Sequence, residues 1–241
     1  MRGALVQLES AWQRMQLGHD YAQPVAEVLG HSAAATALIA QSLKFKGVVT
    51  LQISSDGPLG MLVMQCTDSF DLRGMASAKD IADDKVFADL MPGARCAVTV
   101  DSGATERPYQ GIVEIRPESL AASLENYFAR SVQVPSHVYL ESARGLCGGI
   151  LLQQMPGKSP TLEDDWQRLG LLTRTLRTQD LMDGASHELL HKILPKTTSA
   201  YSSHGMPASA AAALSKKSKK CCGCSARPRR APPAKSRARW T

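Results

Sequence analysis

No apolar run in this 241-residue sequence approaches the roughly 20 residues that a membrane-spanning helix needs. The opening MRGALVQLES lacks the apolar core and small-residue cleavage site of a secretory signal. The expectation is therefore a cytoplasmic protein without membrane contact. Several enzyme signatures are missing too. Gly148-Gly149 stands before an apolar strand, and no Lys-Ser/Thr pair follows to make a phosphate loop. There is no Ser nucleophile elbow and no convincing Cys–His pairing, so no catalytic residue is assigned. No repeat of fixed period is present. Nor do the cysteines form a secreted disulfide framework. Cys66, Cys96 and Cys147 stand singly in apolar surroundings, as buried free thiols do, while Cys221, Cys222 and Cys224 crowd together near the C-terminus.

Acidic residues stop at Glu188. Eleven of the 28 Lys and Arg lie after Pro195 and none of the 22 Asp and Glu does, so the rest of the chain carries a net charge of −5 beneath an overall +6. Two unlike halves are read as two objects. The body is mildly acidic and offers no phosphate-binding field. The end, rich in Ser, Ala, Pro, Lys and Arg, has too few large apolar residues to offset the entropy of ordering and is expected to be disordered.

Within the body, Leu5, Leu8, Trp12 and Met15 fall near helical spacing, which predicts a helix over residues 5–17. The Ala-rich PVAEVLGHSAAATALIAQSLKF is apolar round much of its circumference and predicts a helix buried against a sheet. Val49, Leu51 and Ile53 alternate with polar residues in a strand that turns at Asp56-Gly57-Pro58 into a second. ARCAVTVDSGATERPYQGIVEI repeats that pattern around Ser102-Gly103. Pro117 is placed in the first turn of a helix carrying Leu120, Leu124 and Tyr127 or Phe128 on one face. HVYLE and GGILLQQM follow as strands. Strands and helices without βαβ rhythm indicate an α+β fold with mixed or antiparallel sheets. Beyond a linker-like GKSP, Thr161 and Asp164 form a capping-box signature. It precedes an amphipathic helix whose apolar side carries Leu162, Trp166, Leu169, Leu172 and Leu176. A second helix, SHELLHKIL, stops at Pro195.

Two motifs carry possible metal chemistry. His187-Glu188-Leu189-Leu190-His191 is the H-E-x-x-H of zinc peptidases, two imidazoles on one helical face with a glutamate as base. No third ligand follows: Leu194 and Thr197 stand where the extended motif needs Gly and His, and only His204 is available downstream. The simpler reading is the polar face of an amphipathic helix. Cys222-Gly-Cys224 could supply half of a four-ligand zinc site, but no second pair accompanies it. No metal ligand is assigned. The basic end would attract nucleic acid weakly, without specificity and with steep salt dependence. A zinc peptidase and a basic-tailed nucleic-acid binder remain the alternative functions.

Taken in order, HDYAQPVAEVLG, LKFKGVVTLQISSDGPLGMLVM, LRGMA, RPYQGIVEI, SLAASLENYFARSVQVPSHVYL and GGILLQQMP resemble heat shock protein 33, the bacterial redox-regulated holdase chaperone family. The likeness runs from Arg2 to about Leu194. It departs at Val132, where the family more usually has an acidic residue, and at Arg2-Gly3, where the family usually has a further strand upstream. What the resemblance implies is an ATP-independent chaperone that binds unfolded client proteins, protects against heat and oxidative aggregation, supports refolding, and is a homodimer when active. It also implies zinc, held as thiolates by a Cys-x-Cys and a later Cys-x-x-Cys. Oxidation of those thiols removes the metal and the folding energy it supplies, unfolds the linker and exposes apolar surface. No Cys-x-x-Cys follows HKILP here, so the redox switch is expected to be lost, and the tail composition suggests translation out of frame. On this reading residues 1–157 are an α/β core, 158–195 a helical linker and 196–241 a disordered basic tail. Trp166, Leu169, Leu172 and Leu176 are the candidate client-binding residues.

Overall fold

The computed structural model describes residues 1–43, 46–79, 81–103, 107–143, 145–155 and 162–183. Strands β1 (Arg2–Leu8), β7 (Ser136–Ala143) and β8 (Leu146–Gln153) form a three-stranded sheet in the order β1-β8-β7. Strands β2 (Val48–Ser54), β3 (Leu59–Thr67), β4 (Leu72–Ala78), β5 (Arg95–Asp101) and β6 (Tyr109–Glu114) form a five-stranded sheet in the order β4-β3-β2-β5-β6. Every pairing is antiparallel, which narrows the expected mixed or antiparallel sheets to the second kind within an α+β fold.

Between the sheets runs α2 (Gln23–Ser42), with fifteen of its twenty residues buried. Its alanines, among them Ala33, Ala34, Ala35 and Ala37, let both sheets approach one helix closely, and Pro24 sits in its first turn, where its missing N–H has no partner to lose. Val49, Leu51 and Ile53 of β2 meet it from one side, and Val138, Leu140 and Leu151 join the same core from the other. The short α1 (Ser10–Gln16) touches β4 and β8, and α4 (Leu120–Tyr127) touches β6 and β7, so each bridges the sheets. A one-turn α3 (Phe87–Leu90) packs on α2. Finally α5 (Leu162–Arg174) and α6 (Thr178–Asp183) lie against β7 and β8, on the face turned away from α2.

The helix expected over residues 5–17 is a strand followed by a helix that starts at Ser10. The physical reason is that β1 is covered on both faces. Ala4, Val6 and Leu8 join the core around α2, whereas Leu5 joins a second core beneath α5 and α6. A doubly buried strand loses its apolar–polar alternation, and Leu5, Leu8 and Trp12 then imitate helical spacing. A second correction concerns Pro117, which lies outside α4. Ser119 is the N-cap, its hydroxyl accepting from the Ala122 N–H at 3.0 Å. Strand β4 and helix α6 had no sequence counterpart. Thr161, the SHELLHKIL stretch with His187 and His191, and the tail cysteines lie outside the described residues.

The two outer sheet faces differ. That of the five-stranded sheet is open and mixed, with Gln65 Nε2 donating to Thr50 Oγ1 at 3.1 Å and Arg73 Nε donating to Gln65 Oε1 at 2.8 Å beside exposed Met61, Met75 and Ile112. That of the three-stranded sheet is apolar and covered. Gly148-Gly149 serves this sheet, not a phosphate: a Cβ at either would lie 2.6 Å from the Val6 carbonyl oxygen or 2.5 Å from that of Tyr139. At Gly30, where α2 crosses β7, a Cβ would fall 2.2 Å from Ser142 Oγ. Gly30→Ala should therefore lower unfolding stability by about 1–3 kcal/mol despite alanine's better helix propensity. Adding Ser142→Gly should return most of that loss, as read from urea midpoints.

Candidate functional site

The covered face is built from few residues. From the sheet come Leu5 of β1 with Ile150 and Leu152 of β8, and from the helices come Trp166 and Leu169 of α5 and Leu181 of α6, all buried. Tyr139, Leu146, Leu176 and Met1 close the rim, partly buried. Of the candidate client-binding residues, Trp166 is 7% and Leu169 1% exposed. Leu172 and Leu176 are half-buried. Trp166, Leu169 and Leu176 pack in the cluster on the sheet, and Leu172 lies outside it. On the opposite side Leu171 is 66% exposed.

Helix α5 forms here for local reasons as well. Glu163, Asp164 and Asp165 occupy its first turn and Arg174 its last, each complementing the helix dipole. Arg168 pairs with Asp165 at 3.5 Å. Thr173, buried, returns its hydroxyl proton to the Leu169 carbonyl at 2.7 Å. Among the described residues, polar anchoring of this cover is sparse, and includes Gln154 Nε2 donating to Glu163 Oε2 at 3.4 Å. Gln7 Nε2 of β1 donates to the Leu181 carbonyl at 2.5 Å, and the His137 ring of β7 stacks on Trp166 with centroids 4.3 Å apart and planes 22° from parallel. Gly170 allows that stack, because a Cβ there would meet His137 Nε2 at 2.6 Å.

Strand β7 is an edge, and its ionisable groups shield it. Glu125 of α4 accepts from the Val138 N–H at 2.8 Å and lies 3.8 Å from His137 Nδ1. A carboxylate on the edge amide hinders addition of a further strand. Tyr139 donates to Glu141 Oε2 at 3.2 Å, and burial, then Glu141 and Asp180, push its phenol proton affinity up. Across β7 from α5, burial presses His31 of α2 down to about 4, with Glu141 opposing.

A zinc ion does not fit the described residues. Among them no group of three His, Cys, Asp or Glu gathers in metal-binding reach. The thiols of Cys66, Cys96 and Cys147 are buried separately, and burial pushes Cys96 up to about 12 and Cys147 higher still. Such thiols keep the protons that a zinc ligand must shed.

An apolar sheet face under a helical cover is a surface suited to burying apolar groups. The sequence profile of the Hsp33 protein family matches residues 1–228. The 33 kDa chaperonin of Shewanella denitrificans is 36% identical over 194 residues, covering 80% of this chain and 67% of that one. The chain belongs to the Hsp33 family. The 33 kDa chaperonin of Pseudomonas aeruginosa is 36% identical over 204 residues, 82% of this chain and 68% of the relative. The match thus spans about two thirds of these relatives' length. The crystal structure of the 33 kDa chaperonin (heat shock protein 33 homolog) of Thermotoga maritima superposes with a TM-score of 0.69 at 22% identity, over 80% of this chain and 70% of that one, a likeness of fold. The Hsp33 profile extends past Leu194, where the quoted sequence likeness stops. Family membership makes this chain a member of a chaperone family and leaves the peptidase and nucleic-acid alternatives without support. No helix among the described residues is long and apolar enough to cross a membrane.

Single anchors should then govern the cover. Leu169→Ala is expected to destabilise residues 162–183 by about 2–5 kcal/mol, whereas Leu171→Ala should stay within about 0.5 kcal/mol of the parent. Hydrogen exchange of peptides from this segment measures both.

Proposed function

We propose that this Hsp33-family chain is an ATP-independent holdase whose client-binding surface is the outer face of the three-stranded sheet together with the inner stripe of α5. In the covered state Trp166 and Leu169 pack on the sheet. When α5 and α6 lift, Trp166, Leu169, Leu172 and Leu176 and the sheet residues Leu5, Ile150 and Leu152 become available to an unfolded polypeptide. Contiguous apolar surface of this kind binds exposed apolar segments of any sequence, as suits a holdase of heat- or oxidation-damaged clients. The observation that supports the proposal is the cover itself: the apolar outer face of the three-stranded sheet is packed under α5 and α6, by few anchors among the described residues, whereas the outer face of the other sheet is open.

On this reading the chain divides as a core over 1–157, a helical linker over 158–195 and a basic tail over 196–241, and it works in the cytoplasm by binding, not by catalysis. A homodimer is the active form, as the family resemblance implies. No residue of this chain is assigned to a zinc-thiolate switch. The cover is governed by its own packing, and activity is constitutive at a level set by the opening equilibrium.

Aggregation of a heat-denatured client, followed by light scattering without ATP, tests this. The parent should suppress scattering equally with and without peroxide, and Leu169→Ala should suppress it at several-fold lower concentration. Suppression that required peroxide would overturn the loss of the switch. No suppression by either protein would overturn the holdase reading.

A further inference from the structure

The regulation of this cover does not have to come from cysteine. Strand β7 lies between two imidazoles whose Nε2 atoms are both buried without a hydrogen-bond partner, His31 on the α2 side and His137 on the α5 side. Each is held where its neighbour comes unusually close. Next to His31, Gly30 brings the α2 backbone against Ser142 and Cys147. Over His137, Gly170 brings down the backbone of α5. The inner imidazole directly follows the α2 residue packed against β7, and the outer one carries Trp166, a principal anchor of the cover, on its ring.

We propose that mild acid is a trigger for lifting α5 and α6: proton uptake by His31 loosens β7 from α2, and the His137–Trp166 stack passes that loosening to the cover. This deepens the holdase reading and rests on it for its biological meaning, though the opening can be measured without any client. A proton added to a sealed nitrogen with no acceptor creates an uncompensated buried charge, which the structure relieves by opening.

The groups facing His31 set the direction. From β7, Glu141 favours the charged imidazole, but desolvation outweighs it. Glu27, one turn earlier on α2, is raised by its own burial and then by Glu141. From β8, Cys147 beside Gly30 remains a neutral thiol, its proton held by burial. His31 in the covered state titrates near 4 rather than 6.5, while the opened state binds the proton with ordinary affinity. The covered state is therefore favoured above pH 6.5 and loses ground as pH falls toward 4. Taken alone, this displacement makes opening ~30-fold more favourable at pH 5 than at pH 7.5. Glu27 acts in the opposite sense: a raised carboxyl binds its proton better in the covered state, which gains as pH falls. The parent response is then smaller than that of Glu27→Gln, and His31→Leu should reverse it.

The test is hydrogen exchange on the full chain under reducing conditions at pH 7.5, 6 and 5, corrected for intrinsic rates and paired with binding of an apolar dye. Peptides from β7 and from residues 162–183 should open progressively with acid while those from β2 and β3 stay protected. Glu27→Gln should steepen the response and His31→Leu should abolish or invert it. His31→Gln, which keeps a polar group of similar size, serves if the leucine variant folds poorly. A parent whose cover is equally protected at all three pH values would overturn the proposal. So would an unchanged acid response in both His31 variants, or opening of both sheets together. Acid opening without suppression of client aggregation would leave the trigger standing and count against the holdase reading.

Discussion

Helix α2 is packed from both sides by antiparallel sheets, and the arrangement of the molecule follows from how completely it is enclosed. Its alanine-rich surface lets backbones approach, at Gly30 until Ser142 leaves no room for a methyl group. Because α2 takes one face of the three-stranded sheet, the apolar residues on that sheet's other face need a second partner. Leu5, Ile150 and Leu152 cannot turn inward without breaking the register of β1 with β8 and β7, since a shift of one residue exchanges every side chain between faces. The cover is a consequence of that register.

The two cores differ in depth, and the difference has functional weight. Around α2, burial is contiguous through both sheets and two bridging helices, so opening there amounts to unfolding the domain. Beneath α5 and α6, six buried residues and a stacked histidine do the work. Segments with few apolar anchors open sub-globally at lower cost than the domain core. A holdase needs that division: a body that stays folded in conditions that unfold its clients, and a greasy surface that can be uncovered without losing the body. The outer face of the other sheet is open, braced from Arg73 through Gln65 to Thr50 and carrying exposed Met61, Met75 and Ile112.

Much of this was legible in the sequence. The alternation of Val49, Leu51 and Ile53 marks β2 because its sheet is wet on one side, and Asp56-Gly57-Pro58 and Ser102-Gly103 mark turns for the usual stereochemical reasons. The three- and four-residue steps from Leu162 to Leu176 mark α5. Failure came where burial is two-sided or context supplies the signal. Strand β1 was read as helix because both its faces are covered. Strand β4, with Gly74 against the Met64 side chain and much of its length exposed, shows too little apolar pattern to be seen. His31 and His137 had no motif around them. Their roles depend on Glu141, Glu125 and Trp166, which are distant in sequence and adjacent only after β7 has found α2 on one side and α5 on the other.

By itself the sequence determined which segments are apolar, where the turns fall, which helix has one greasy side, and, through words in a fixed order, the family. Local stereochemistry and hydrophobic period are properties of neighbouring residues, so a linear reading recovers them. Only the tertiary structure decided that one sheet face is open and the other hidden, that Trp166 rests on a histidine, and that a second imidazole, on α2, has its Nε2 buried without a partner. Covering a face takes two surfaces from separate parts of the chain, and which two meet is settled by the packing of the whole.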